Sequence, residues 1–133
     1  MNDFLIKIVL WATIENYVGL WEITWEINSV VEKNDEQTNK KIAKEILLYL
    51  LNRDFIRLYY SEKDKYDYKE LNKGEATDII VNEKYWNTTE FDNIFVMVAS
   101  TKEGEAFYNS LLHIHRKEGN WLTRFMKKIG LKS

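Results

Sequence analysis

Apolar and polar residues follow one another in blocks whose spacing predicts the elements of this chain. Residues 3–16 are apolar on nearly every side of a helical wheel. They predict a helix that is either fully buried or covered on its outer face by another chain. Gly19 interrupts, and in a second helix over about 19–33 Leu20, Ile23, Ile27, Val30 and Val31 fall on one core-facing stripe. Trp21 and Trp25, at i and i+4, form a separate stripe turned by about a third of the helix circumference. Large aromatics usually bury, so packing against the first helix is their expected place. The alternative is a partner-binding aromatic patch flanked by Glu22 and Glu26.

The polar stretch Glu32 to Asn39 is rich in N-cap residues and hands over to an amphipathic helix over about 39–53. Its core stripe is Ile42, Ala43, Ile46, Leu47, Leu50 and Leu51, and Asn52-Arg53-Asp54 closes it. Residues 55–60, Phe-Ile-Arg-Leu-Tyr-Tyr, have the β-branched and aromatic bias of a strand. A charged, tyrosine-bearing loop over 61–69 follows, and Asn72 with Glu75 forms a capping box that opens a short helix through Ala76, Ile79 and Ile80. A second strand over 93–99 leads to Ser100-Thr101-Lys102-Glu103, a capping-box pattern that predicts a helix from 101 to about 117. Asn120 can cap a last helix with Trp121, Leu122, Phe125, Met126 and Ile129 on one stripe and Arg124, Lys127, Lys128 and Lys132 on the other side. Three helices, a strand, an excursion, a returning strand and a closing helix make a winged-helix-like order. The expected fold is therefore α+β, helix-dominated, a winged-helix-like bundle with a small antiparallel sheet. The 133 residues suit a single domain, with a body over about 1–118 and a basic amphipathic helix over about 119–133.

Charge changes the picture when the chain is split. Residues 1–112 hold 13 Lys/Arg against 20 Asp/Glu, a net of -7, and residues 113–133 hold 6 against 1, a net of +5. An acidic body suits a basic protein partner better than a phosphate backbone. The basic tail either docks on that body through Trp121, Phe125 and Ile129, serves a homodimer, or lies on a membrane surface. The apolar start carries Asp3 and Lys7 and lacks a small-residue cleavage site, and no run reaches the roughly 18–20 apolar residues of a membrane span. A cytoplasmic protein is expected.

Candidate chemistry is sparse. The chain has no Cys, which excludes disulfides and Cys-ligated metal centres. His113 and His115 are two apart and diverge on a helix, so no metal site is expected, and no phosphate-binding glycine loop or nucleophile motif is present. We therefore expect no enzyme activity and no cofactor. For a nucleic-acid reading, Lys40, Lys41 and Lys44 at the start of the third helix and Lys63, Lys65 and Lys69 in the wing loop offer phosphate contacts. Glu45, Glu62, Asp64, Asp67 and Glu70 are interleaved among them, and only Gln37 and Asn39 are placed to read base edges.

The segments Gly19-Leu20-Trp21-Glu22-Ile23-Thr24-Trp25-Glu26-Ile27-Asn28, Leu50 to Tyr59, Tyr85-Trp86 and Ser100 to Glu105 carry a resemblance that covers about residues 18–112. They resemble a group of small bacterial winged-helix-like proteins with an LWEI-x-WE helix and a T-x-x-G-E helix start, similar to immunity proteins of polymorphic toxin systems such as contact-dependent inhibition. The resemblance implies a protein that binds a cognate toxin domain, often a basic nuclease, and covers its active site. The contact surface it implies is the acidic wing loop, with Glu62, Asp64, Tyr66, Asp67, Tyr68 and Glu70. The alternative function is a winged-helix DNA-binding transcriptional regulator, and a third class is an interaction domain of another kind.

Overall fold

The computed structural model describes residues 2–15, 17–31, 35–62, 68–86 and 94–113. Five helices and four strands are laid out in these segments: α1 (Asp3–Glu15), β1 (Val18–Gly19), α2 (Leu20–Val30), α3 (Glu36–Asn52), β2 (Ile56–Glu62), β3 (Lys69–Glu70), α4 (Lys73–Val81), β4 (Ile94–Ser100) and α5 (Lys102–Ser110). A short 3-10 turn over Glu83–Trp86 follows α4. The fold is helix-dominated α+β with a small antiparallel sheet, in agreement with the hydrophobic pattern.

The caps explain where the helices begin. Asp35 accepts the Thr38 N–H and starts α3 a turn earlier than the apolar stripe alone predicts. Asn72 and Glu75 form a reciprocal capping box at α4. The end of α3 is a Schellman turn, in which Phe55 N–H donates to the Leu50 carbonyl and Asp54 N–H to that of Leu51. Asp54 takes the left-handed conformation this turn requires, at φ 62°. Its carboxylate lies 3.1 Å from Arg57 Nη1.

The sheet order is β1-β4-β2-β3, antiparallel throughout. β2 and β4 pair over their whole length, from Ile56 opposite Ser100 to Glu62 opposite Ile94. β4 lies between β1 and β2 in the sheet, and β3, α4 and the 3-10 turn lie along the chain between the paired strands β2 and β4. Ile56, Leu58, Val96, Val98 and Val18 point to the core, where they join Leu10, Ile23, Ile27, Ile46, Leu47 and Leu50 from the first three helices. Residues of the opposite parity on β2 and β4, Arg57, Tyr59, Met97 and Ala99, lie on the other face and are only half-buried.

Three expectations need correcting. Trp25 is 60% exposed and meets half-buried Trp21 edge-on, with ring centroids 4.6 Å apart, so the pair is not sealed beneath α1. The cap of α5 is Thr101, whose Oγ1 accepts the Gly104 N–H, one residue later than the Ser100–Glu103 pattern predicts. The reason is tertiary. Thr101 N–H donates to the Phe55 carbonyl and Thr101 Oγ1 to that of Asp54, which fixes the helix start against the α3–β2 turn. The same helix gives way to a turn at 111–113 rather than continuing to 117, and the basic helix predicted after Asn120 lies outside the described residues.

Candidate partner-binding face

The outer face of the sheet becomes aromatic because of strand register. Met97 pairs with Gly19 on one side and with Tyr59 on the other, and Tyr59 pairs in turn with Glu70. Since side chains alternate along a strand, this row of four positions shares one face. Tyr17, just before β1, meets Tyr59 edge-on at 5.4 Å between ring centroids. It also stacks in parallel on Tyr68, just before β3, at 5.7 Å and 9°. The two tyrosines thus enter from the opposite edges of the sheet and meet above Tyr59. Tyr17 and Tyr68 are each nearly half exposed.

Gly19 extends this face towards α2. A Cβ at this position would come within 2.8 Å of Trp21 Nε1, so the missing side chain leaves room for the indole to lie against the strand. Glu22 Oε1 reaches back to accept the Gly19 N–H at 3.4 Å, which ties the helix start to β1. Glu26 is half-buried one turn later, beside exposed Trp25.

The charges on the face are arranged around Arg57. Its guanidinium lies 3.1 Å from Asp54 and 3.7 Å from Glu70, so the cation is shared between two carboxylates. Burial, and then the nearby Glu70 charge, push the Tyr59 phenol above its ordinary range. Tyr59 therefore stays a neutral hydrogen-bonding group at physiological pH.

Of the eight residues singled out from sequence, the structure brings Tyr68 and Glu70 onto this face and places Glu22 and Glu26 on α2 beside its Gly19 end. Glu62 closes β2, with its backbone paired to Ile94. Asp64, Tyr66 and Asp67 lie outside the described residues. Sequence reasoning missed Tyr17 and Tyr59. The signal for Tyr59 was present in the alternation Ile56, Leu58 against Arg57, Tyr59, whereas Tyr17 depends on a two-residue strand with no period to read.

The helix that would enter a DNA groove is differently committed. Lys40 is buried, with its ammonium 3.3 Å from Glu83, and Lys44 lies 2.8 Å from the same carboxylate. Lys44 also sits above the Trp86 ring at 5.9 Å. Asn39 is buried and donates to the Asn28 side chain and the Val31 carbonyl, so it reads no base edge. The exposed positions left along α3 are Glu36, Gln37, Thr38, Lys41, Glu45 and Asn52, one cation against two anions. Lys69 is exposed on β3, and Lys63 and Lys65 lie outside the described residues.

Among the described residues no group of three His, Cys, Asp or Glu side chains is placed to hold a metal ion, and no helix is long and apolar enough to cross a membrane. A scan against protein-family models finds no match, and searches of the curated proteins and of the solved structures find none either.

Proposed function

We propose that this chain is a non-enzymatic immunity-type protein that neutralises a cognate basic toxin domain, acting in the cytoplasm. The contact is the face built by Tyr17, Tyr59, Tyr68 and Glu70, continued by Glu62, Asp64, Tyr66 and Asp67 of the wing loop and by Glu22 and Glu26 of α2. One observation carries this reading: three tyrosines that meet above the sheet with Tyr17 and Tyr68 half exposed. Tyrosine supplies rigid contact area at little cost in conformational entropy, and surrounding acids steer a cationic partner. The commitment of Lys40 and Lys44 to Glu83 removes two of the phosphate contacts on which the regulator reading relies.

The experiment is a tagged pull-down from the native host at endogenous expression, with nuclease treatment, followed by affinity measurement on the recovered partner. A stoichiometric protein with a variable C-terminal domain is the expected catch. Truncating a central tyrosine costs about 2 kcal/mol or more at an interface hot spot. Tyr17→Ala and Tyr68→Ala should therefore each weaken binding by roughly 30-fold in chains that remain folded, with a lower melting temperature from the lost ring contacts. Full affinity in both variants would move the interface elsewhere. Recovery of nucleic acid alone, when nuclease is omitted, would favour the regulator.

A further inference from the structure

A separate apolar surface lies where α1 and α5 meet. Trp11 is 47% exposed and stacks on half-buried Tyr108, with ring centroids 5.7 Å apart and planes 29° apart. Ile8 and Ile14, three residues to either side of Trp11 on α1, are half-buried on the same strip. Leu112, four residues beyond Tyr108, is 49% exposed. Single exposed apolar residues are ordinary, but a contiguous group that includes an indole marks a surface that something covers.

We propose that the chain's own C-terminal segment, residues 114–133, covers this surface as an amphipathic helix. The described residues end at His113, immediately beyond Leu112 at the rim of the patch, and 20 residues remain. Trp121, Leu122, Phe125, Met126 and Ile129 repeat at helical spacing, so the segment carries an apolar stripe about 12 Å long, close to the length of the nine-residue α5. The linker over 113–120 can extend to about 26 Å, ample for the chain to reverse and run antiparallel to α5.

Charge supports the same occupant. Residues 113–133 carry a net of +5 against -7 for the rest of the chain. Exposed Glu15 and Glu105 border the patch, at i+4 from Trp11 and i−3 from Tyr108. Arg124, Lys127, Lys128 and Lys132 flank the apolar stripe and match that rim. Tethering decides between this segment and a second copy of the chain. A segment attached next to its site binds at an effective concentration in the millimolar range, whereas a second copy loses translational and rotational freedom on docking.

The absence of cysteine makes the test clean, because Lys128→Cys places a single nitroxide label on the full-length chain. In ¹⁵N-labelled protein the Trp11 indole signal and the Tyr108 and Leu112 amide signals should be lost to the label. The signal of the Trp86 indole, bonded to the Ile80 carbonyl of α4, should remain. Adding Phe125→Glu should restore the lost signals. The proposal is overturned if the Trp11 signal survives, if broadening extends equally to α3 and α4, or if the loss appears in a mixture of spin-labelled ¹⁴N chain with unlabelled ¹⁵N chain. That last outcome would make a second copy the occupant.

Discussion

Thr24 is 3% exposed in the middle of α2, and its hydroxyl has no hydrogen-bond partner among the described residues. Thr13, equally buried in α1, shows the ordinary solution, with Oγ1 donating to the Leu10 carbonyl at 2.8 Å. Asn39 shows the other, with its amide divided between the Asn28 side chain and the Val31 carbonyl. A buried hydroxyl without a partner loses its water and gains nothing in return, which costs about 1–3 kcal/mol. Thr24→Val keeps the branched shape and removes the oxygen. It should raise stability by about 1 kcal/mol and the melting temperature by roughly 4 °C, read by circular dichroism. An unchanged or lower midpoint would mean that the hydroxyl has a partner in solution.

At the scale of elements, α5 is held by the close approach of its first turn to the α3–β2 turn. A Cβ at Gly104 would collide with the Phe55 carbonyl oxygen, a backbone atom that cannot step aside without moving β2. Gly104→Ala should therefore destabilise by about 3 kcal/mol, against the small gain that alanine normally brings within a helix. An urea midpoint equal to that of the parent would show that α5 is free to shift. This contact also explains what could be read from sequence. The places of α1, α3, α4, β2 and β4 followed from apolar spacing and caps, because each presents several residues to one core. Their bounds did not all follow: α3 begins at Glu36 and not 39, and β2 runs on to Glu62 where the pattern predicts a loop. Local pattern failed where a neighbour decides. Thr101 outcompetes Ser100 as the cap because two carbonyls of the α3–β2 turn bind it. The strands Val18–Gly19 and Lys69–Glu70 are too short to show a period, yet they bring Tyr17 and Tyr68 together. Trp25 obeyed helical spacing and still stayed outside, since aromatic content alone does not say which stripe finds cover.

For the whole molecule, carboxylates join the excursion between β2 and β4 to the rest of the fold. Asp54 lies 3.1 Å from Lys73 at the start of α4 and 3.1 Å from Arg57 on β2. Glu83 ties the 3-10 turn to α3 through Lys44 and Lys40, and Asp35 caps α3 itself. Hydrogen bonds from Lys73 hold Asp54 below its ordinary carboxylate range, those from Lys44 and Lys40 do the same for Glu83, and the Thr38 N–H lowers Asp35. In each case the folded chain has the lower pKa, so below about pH 4.5 the unfolded chain takes up the proton first. The contribution of these groups is complete above that range and is lost as pH falls through the folded values. Urea midpoints should accordingly be level from pH 7 to about 5 and then decline. Glu83→Gln removes one of the linked protons, so the variant should start lower at pH 7 and decline less steeply. Because Glu83 is more than half exposed, its share is small beside the sum. The indole N–H of Trp86, bonded to the Ile80 carbonyl and lying under Lys44, reports the same junction as a single NMR signal. Parallel acid profiles for parent and variant would place the acid lability elsewhere. A shallower profile would show that the bond between the excursion and α3, which also engages Lys40 and Lys44, is made of this carboxylate.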